Sequence, residues 1–278
     1  MTDHPASVSA SPLKPRDASR VRLPWDSRFS AATLEHHLVQ YPSLSFWNPI
    51  SGEYAIGGYW RQRRDIGLVV EISSGGSRDP LLSCMLREFR QHGSAFAVLS
   101  QDEVESASTW YRERGWGIID RLFVYHLTMS RLDLARHQPI PVKPFEPGDL
   151  DDLIDLDSQA FPWLWKNEPS DFLAYSASAR VEVLLAREQD RLLGYTSYTT
   201  ARNRGHLDRL AVNPLLTRRG YGAALLEVAL KKMRNDGVQE VALTTQQANH
   251  SAQALYRKHG FTKTGEVHEI LGMKLNDD

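Results

Sequence analysis

The sequence predicts an α/β protein built from two similar units, each a mixed, mostly antiparallel sheet flanked by helices. Strand and helix patterns alternate along the chain, and strand pairs are expected at both ends of the second unit. Residues 106–116 and 251–261 share Ser, Ala, Tyr, Arg and Gly at matching places, 145 positions apart. Gly93 matches Gly237 in the same order, 144 positions apart. These two matches indicate a duplicated unit.

The first unit is expected to cover residues 22–131. A polar, proline-containing segment at 1–21 precedes it, and we expect this tail to be disordered. Hydrophobic periodicity in the first unit predicts, in chain order, a helix at 31–40, strands at 53–60 and 65–72, a helix at 80–92, a strand at 95–99, a helix at 103–114 and a strand at 118–128.

A linker is predicted at 132–139, where Pro139 and Pro141 lead into an extended segment. The second unit then covers 140–278. Its patterns predict, in chain order, a strand at 140–145, a helix at 149–160, strands at 181–186, 192–199 and 206–212, a helix at 220–236, a strand at 240–245, a helix at 250–259 and a strand pair at 261–275.

The composition excludes several classes of protein. The 278 residues are 41% hydrophobic and carry a formal net charge of -1, so no basic field is present to hold nucleic acid. No apolar run approaches the roughly 18 residues that span a bilayer, and no apolar core of a signal peptide is seen. The single Cys84 rules out an internal disulfide. We therefore expect a cytoplasmic protein without nucleic-acid or membrane partners; its oligomeric state is not indicated.

A glycine-containing loop is the strongest functional signal. The apolar strand 206–212 runs into Asn213-Pro214 and then into residues 217–223, Thr-Arg-Arg-Gly-Tyr-Gly-Ala. Glycine lacks a Cβ, so backbone N–H groups can close around a phosphate, and the following helix adds its own unpaired N–H groups. The loop therefore predicts an anion site suited to a pyrophosphate. The alternative is a tight helix-entry turn in which the glycines serve packing.

A second motif follows at residues 249–261. Asn249 is a favoured residue for a helix N-cap, and Tyr256 lies two helical turns further on, on roughly the same face. The two side chains can therefore address one ligand. The alternative for Tyr256 is a core tyrosine that packs beside Leu255.

Together the two motifs resemble those of the GNAT superfamily of N-acetyltransferases. The family pattern Arg/Gln-x-x-Gly-x-Gly/Ala falls on residues 217–222, with Thr217 in place of the usual Arg or Gln. The pattern Asn-x-x-Ala-x-x-Leu-Tyr-x-x-x-Gly-Phe is matched by Asn249, Ala252, Leu255, Tyr256, Gly260 and Phe261. The resemblance covers about residues 140–275, and it implies that this unit is the catalytic one.

The resemblance implies acetyl-CoA as the cosubstrate and no metal. It implies that Asn249 contacts the cofactor and that Tyr256 protonates the departing thiolate. The residues whose backbone is implied to bind the pantetheine arm are Leu210, Ala211 and Val212. Those whose amides are implied to hold the pyrophosphate are Arg218, Arg219, Gly220, Tyr221, Gly222 and Ala223.

The general base is predicted on the strand before the glycine loop. Strand alternation would place His206, Asp208 and Leu210 on one face. Histidine titrates near neutrality and suits proton removal from an amine, while Asp208 can act directly or through water. The alternative is that both are ordinary polar residues at a strand start. Related ribosomal-protein acetyltransferases carry a glutamate where this chain has Thr244, which argues against transferring their mechanism directly.

Trp163 and Trp165 lie where GNAT acceptor-binding loops occur. Two tryptophans in a polar neighbourhood can form the wall of an acceptor pocket. The alternative is that they are aromatic anchors of the core.

The first unit lacks some of the motif residues that are present in the second unit. Its aligned positions, at a shift of 144 or 145, are Gly76 for Gly220, Arg78 for Gly222, Ile66–Leu68 for Leu210–Val212, Val104 for Asn249 and Tyr111 for Tyr256. Because the second glycine and the asparagine are missing, we expect a degenerate GNAT-like domain without productive CoA binding. A second, weak CoA site is the alternative.

The main functional hypothesis is an acetyl-CoA-dependent N-acetyltransferase. A primary amine of a small molecule or a peptide N-terminus would attack the thioester directly, since Cys84 lies in the other unit. One alternative is a non-catalytic acyl-CoA-binding or regulatory module, motivated by Thr217. Another is an acetyltransferase similar to mycothiol synthase, because that enzyme has a tandem GNAT architecture.

Overall fold

The computed structural model describes residues 10–102, 105–132, 140–189 and 191–275. The chain divides into two compact units, one formed by Met1–Ile119 with Glu269–Asp278 and the other by Asp120–His268. This division differs from the predicted limits, because it falls after Ile119 and returns the last residues to the N-terminal unit. Nearly all of the predicted linker, 133–139, lies outside the described residues.

The N-terminal unit contains a sheet flanked by helices. Its elements are β1 (Ser11–Pro12), α1 (Ala31–Gln40), β2 (Phe46–Trp47), β3 (Tyr54–Tyr59), β4 (Ile66–Ile72), α2 (Arg78–Gln91), β5 (Phe96–Asp102) and α3 (Glu105–Arg112). The strand order is β1-β2-β3-β4-β5, with β4 and β5 parallel. Helix α2 buries Leu81, Met85 and Phe89, whose spacing of four residues gives one apolar face.

The predicted disordered tail is wrong for residues 10–21. Strand β1 pairs with β2, and a 3-10 helix spans Pro15–Arg20. Leu13, Ala18 and Val21 are buried in a cluster with residues of α1 and β3. Three spaced apolar side chains are enough to anchor a segment whose overall composition is polar. Residues 1–9 lie outside the described part of the chain.

The C-terminal unit contains a mostly antiparallel sheet. Its elements are β6 (Gly117–Thr128), β7 (Val142–Pro144), α4 (Leu150–Ala160), α5 (Pro169–Ser176), β8 (Val181–Glu188), β9 (Arg191–Ala201), β10 (Arg204–Val212), α6 (Tyr221–Asn235), β11 (Glu240–Gln246), α7 (His250–Lys258) and β12 (Thr262–Lys274). Strands β6 and β12 run across the division into the N-terminal unit. The order of the other strands next to β6 is β11-β10-β9-β8-β7, and only β10 and β11 are parallel among these described pairs.

Helices cover both faces of this sheet. Leu184 clusters with residues of α6 and α7, whereas its neighbours Val183 and Leu185 cluster with residues of α4 and α5. Successive residues of a strand point to opposite faces, so the two helix pairs lie on opposite sides. Within the described residues, no helix has the length and apolar character needed to cross a membrane.

Two features of the C-terminal unit differ from the sequence-based expectation. The predicted strand pair at 261–275 is one continuous strand, β12, because the chain does not turn at Gly265. For the segment that follows residues 161–165, the sequence left a loop or a short helix open, and the structure has helix α5 there. It begins at Pro169, a residue favoured in the first turn, and it buries Phe172. Its short length left too little periodicity to identify it.

Candidate active site

Strands β10 and β11 separate at the centre of the C-terminal unit. Their parallel pairing ends at Leu207 and Leu243, although β10 continues to Val212 and β11 to Gln246. Beyond that pair, the backbone groups of β10 that face β11 have no partner in the β10–β11 ladder. An extended ligand with amide groups can pair with such a strand edge, since backbone N–H and C=O groups need partners.

A β-bulge lies at the point of separation. The pairing of β10 with β9 shifts between Leu207 and Arg209, which leaves Asp208 as the extra residue. The prediction that His206, Asp208 and Leu210 share one face is therefore wrong for Leu210. Its side chain packs with the α6 side, whereas Asp208 contacts helix α5 on the other side. The extra residue reverses the alternation.

His206 and Asp208 form a hydrogen-bonded pair. His206 Nδ1 lies 2.7 Å from Asp208 Oδ1. A carboxylate only accepts hydrogen bonds, so Nδ1 carries the proton and Nε2 is left as the basic nitrogen. The His206 side chain is 43% exposed, so solvent and an acceptor can reach it. The two predicted base residues are thus brought together as one unit.

The second oxygen of Asp208 accepts two more hydrogen bonds. The hydroxyls of Tyr175 and Thr199 each donate to Oδ2 over 2.6 Å, and Ser197 Oγ lies 2.9 Å from the Tyr175 hydroxyl. Burial, together with the Asp208 carboxylate, raises the pKa of Tyr175 well above its ordinary range, so the hydroxyl stays a donor. The sequence analysis missed these three residues. Pro169 followed by aromatic residues three apart was the signal for the helix that carries Tyr175.

A buried ion pair supports the bulge from below. Arg209 Nη2 donates to Asp157 Oδ2 over 2.6 Å and to the carbonyl of Trp165 over 2.8 Å, while Nε donates to the Tyr195 hydroxyl. Asp157 is fully buried and also accepts from the amide of Asn167. The network therefore joins α4, β9, β10 and the loop before α5. Sequence reasoning did not identify it.

The two tryptophans predicted to wall an acceptor pocket differ from each other. Trp165 is only 8% exposed, and its indole N–H donates to Asp120 over 2.7 Å. These contacts fit the alternative interpretation of Trp165 as a core anchor. Trp163 is 44% exposed and is the one of the pair that an acceptor can reach.

The glycine loop, residues 217–223, presents backbone N–H groups without an intramolecular acceptor among the described residues. Arg218 and Gly220 have positive φ values of 61° and 88°, and Gly220 is the N-cap of α6 without a side-chain capping bond. The first helical backbone bond runs from the amide of Ala224 to the carbonyl of Gly220. Among the described residues, no acceptor contacts the amides of Arg218, Arg219 or Gly220. These groups and the first-turn amides of the helix form a cradle for an anion.

Gly222 is not required by the fold of the loop. A Cβ at this position would lie 3.6 Å from Val212 and 3.7 Å from Leu255, which are ordinary contacts. The lack of a side chain there matters for a ligand that approaches the backbone. Thr217, the departure from the family pattern, donates its hydroxyl to the carbonyl of Pro214 over 3.3 Å. It therefore closes the turn before the cradle.

Asn249 caps helix α7 as predicted. Its Oδ1 accepts from the amide of Ala252 over 3.1 Å and from the hydroxyl of Ser251 over 3.0 Å. The capping role is confirmed. The side-chain N–H groups have no protein acceptor among the described residues and can serve a ligand.

Tyr256 combines a packed ring with a hydroxyl that has no partner within the described residues. The ring contacts Tyr125 and Phe261, and the residue is only 7% exposed. Burial raises the pKa of Tyr256 well above its ordinary range. The hydroxyl is therefore protonated at neutral pH and remains able to donate. The open amide cradle, the separated strands and this donor together fit an acyl-CoA.

The N-terminal unit contains a counterpart of the separated strands. Strands β4 and β5 pair in parallel only as far as Leu68 and Val98. The pairing of β3 with β4 skips Val70, so this residue is the counterpart of Asp208. The predicted alignment of Leu210–Val212 with Ile66–Leu68 is therefore wrong. The loop after β4 is shorter than the loop after β10. A single sequence offset therefore cannot align the two units on both sides of this loop.

Known proteins match part of the chain by sequence. Residues 150–261 match the Acetyltransferase (GNAT) family. A mycothiol acetyltransferase from Segniliparus rotundus is 33% identical over 129 residues, which cover 42% of this chain and 49% of that protein. One from Clavibacter sepedonicus is 30% identical over 129 residues, covering 44% of this chain and 42% of the relative. The chain thus matches about half the length of these relatives or less.

Solved structures match nearly the whole chain by fold. A GCN5-related N-acetyltransferase from Sphaerobacter thermophilus has a TM-score of 0.65 at 18% identity, covering 97% of this chain and 96% of its own. A tandem GNAT protein from the clavulanic acid biosynthesis pathway has a TM-score of 0.62 at 12% identity, covering 97% and 99%. The chain thus has the fold of these proteins, and its segment 150–261 carries the sequence match to the Acetyltransferase (GNAT) family.

Proposed function

We propose that the C-terminal unit transfers an acetyl group from acetyl-CoA to a primary amine of a small molecule or a peptide N-terminus. The observation that carries the proposal is the separation of β10 from β11 beside an open amide cradle. A free strand edge followed by an anion site matches a ligand with an amide-containing arm and a pyrophosphate.

The chain's own residues divide the binding of the cofactor. The amides of residues 218–223 hold the pyrophosphate, and Arg218 and Arg219 add charge at the exposed rim. The backbone of residues 210–212 pairs with the pantetheine arm, and the Asn249 amide contacts the cofactor from α7. Bound acetyl-CoA supplies an acetyl group activated as a thioester.

His206 takes the proton of the attacking amine. Because Asp208 accepts from Nδ1, it holds the ring in the tautomer whose Nε2 is basic, and it stabilises the imidazolium that forms. Tyr175 and Thr199 keep the Asp208 carboxylate in place through Oδ2. These two residues are therefore positioning residues.

Tyr256 serves the leaving group. The amine nitrogen attacks the thioester carbon, so that the C–N bond forms and the C–S bond breaks without a covalent enzyme intermediate. The Tyr256 hydroxyl donates its proton to the departing sulfur. Tyr256 clusters with the α6 and α7 side of the sheet, whereas Asp208 contacts α5 on the other side. The gap between β10 and β11 links the two faces, so amine and thiol can lie on opposite sides of the acetyl group.

Thiol release tests the proposal. The full chain is mixed with acetyl-CoA and a panel of primary amines, peptide N-termini and matched alcohols, and free CoA is measured with a thiol-reactive dye. We expect release with at least one amine and none with the alcohols. Isothermal titration with CoA runs in parallel. Binding of CoA without turnover on any amine would favour the alternative, a non-catalytic acyl-CoA-binding or regulatory module.

The curated relatives favour a second candidate acceptor. They are mycothiol acetyltransferases, although they match over about half of their length or less. The corresponding substrate would be the amine of a cysteinyl pseudo-disaccharide. If this candidate holds, that acceptor gives a kcat/KM at least ~100-fold above free cysteine, because a site built for the sugar hydroxyls leaves polar groups unpaired without them. Equal values for both acceptors would exclude it.

A further inference from the structure

The loop between β4 and α2 is the N-terminal counterpart of the anion cradle. It spans residues 73–77, Ser-Ser-Gly-Gly-Ser, and leads from the separated end of β4 to the first turn of α2. In the C-terminal unit the corresponding amides have no acceptor among the described residues. In the N-terminal unit, a side chain of the protein itself accepts a hydrogen bond from the loop.

The acceptor is the carboxylate of Glu53, which follows a turn just before β3. Glu53 Oε2 accepts from the amide of Ser77 over 3.1 Å and from the hydroxyl of Ser51 over 2.9 Å. A backbone amide of the loop and a neighbouring hydroxyl therefore converge on a single carboxylate oxygen.

The fit between Glu53 and the loop is close. A Cβ added to Gly75 would overlap the Glu53 carboxylate, so glycine at this position leaves room for it. The contact with Ser77, together with the hydrogen bond from Ser51, lowers the pKa of Glu53, although burial opposes this shift. The side chain is therefore an anion at neutral pH.

A neighbouring side chain holds the donors in place. Asn48 donates to the Ser77 Oγ over 2.9 Å, and its own Oδ1 accepts from the amides of Ile50 and Ser51. Asn48 therefore fixes Ser77 and Ser51, the two residues that donate to Glu53.

We propose that Glu53 is a built-in anion that occupies the place of the cofactor's pyrophosphate in the N-terminal unit, and so excludes CoA from it. The inference concerns the N-terminal unit alone and does not depend on the proposed activity. A cavity of about 590 Å³ remains beside the loop, lined in part by Ser73, Arg78 and Tyr111. The cavity therefore leaves space for a ligand, and it is the Glu53 carboxylate that blocks the binding of phosphate groups.

Hydrogen–deuterium exchange of the full chain tests the inference. The readout is the exchange of the Ser77 amide in a peptide that covers 73–82. In Glu53→Ala this amide should exchange about tenfold faster, because it loses a charge-assisted hydrogen bond. Inorganic pyrophosphate should slow it again in Glu53→Ala and leave the wild-type peptide unchanged.

Two further variants keep the test decisive. Glu35→Ala makes the same charge change at an exposed site on α1 and should leave the peptide unaffected. If Glu53→Ala fails to fold, Glu53→Gln serves instead, because it preserves the shape of the side chain. Its Ser77 amide should also exchange faster than in the wild type, by a smaller factor. Pyrophosphate protection of the wild-type peptide, unchanged exchange in the Glu53 variants, or no slowing by pyrophosphate in Glu53→Ala would each overturn the inference. Peptides covering 213–223 report the proposed CoA site separately.

Discussion

At the scale of single residues, the hydroxyl of Tyr256 connects burial with chemistry. Its ring is packed by Tyr125 and Phe261, so Tyr256→Phe keeps the core intact and removes only the donor. We expect kcat to fall about 100-fold, within the usual range for a general acid. The Kd for CoA should stay within about threefold, since the loss is confined to the transition state.

Steady-state kinetics and titration calorimetry check this prediction for Tyr256. Tyr198→Phe is the matched control, because Tyr198 is also a buried tyrosine but its hydroxyl donates to Glu182. The control should keep kcat. If Tyr256→Phe turns over as fast as the wild type, another group protonates the thiolate.

The pair of His206 and Asp208 makes a second prediction at this scale. Asp208→Asn removes the charge and can turn the His206 ring to the wrong tautomer, so kcat should fall about 100-fold. The kcat of His206→Asn should fall by a similar factor. The kcat of the double variant should be only slightly lower than that of either single variant. His92→Asn is the control, because His92 lies near Glu88 in the other unit and is exposed to a similar extent, 42%. Additive losses in the double variant would show that the two residues do not act as one unit.

At the scale of elements, the two glycines at the start of α6 have different tasks. Gly220 has a φ of 88°, so Gly220→Ala should lower the free energy of unfolding by ~1–2 kcal/mol. Gly222→Ala places its methyl group in ordinary contact with Val212 and should not destabilise the protein. It should instead weaken CoA binding about tenfold by blocking a charge-assisted bond to the backbone. Urea denaturation and calorimetry distinguish the two, and equal effects of both variants would contradict this division.

The bulge of β10 depends on a buried charge. Arg209 is nearly buried and pairs with the fully buried Asp157, so Arg209→Met leaves an unpaired carboxylate in the core. We expect a loss of about 3–5 kcal/mol in the free energy of unfolding. Adding Asp157→Asn to this variant should recover part of the loss, because the uncompensated charge is gone. Chemical denaturation provides the measurement, and a loss below ~1 kcal/mol would mean that the pair behaves as a solvated one.

At the scale of the whole molecule, the described residues form an open amide loop before α6 and a counterpart before α2 in which the Ser77 amide donates to Glu53. We therefore expect calorimetry to give one CoA per chain. The double change Arg218→Glu and Arg219→Glu should abolish this binding, because it places two negative charges at the rim of the open cradle. The control is the same change at Arg202 and Arg204, two exposed arginines at the turn between β9 and β10. A stoichiometry of two would contradict both the prediction and the role of Glu53.

Local patterns in the sequence predicted many of these elements. The predicted helix at 31–40 is α1, the Asn249 cap is present, and the loop before α6 has the positive φ at Gly220 that a cradle requires. Each of these depends on residues within one or two helical turns. Periodicity, capping preference and the freedom of glycine act over that range, so a single sequence is enough to identify them.

Contacts between distant segments had to come from the folded chain. The bulge at Asp208 depends on how β10 pairs with β9, and it turns Leu210 away from His206. Glu53 reaches Ser77 across 24 positions of the sequence to fill the N-terminal cradle. No local pattern encodes either contact, because strand register and long-range hydrogen bonds are set by the packing of whole elements. The glycine loop thus indicated a CoA site from sequence, whereas the difference between the two cradles emerged from tertiary contacts.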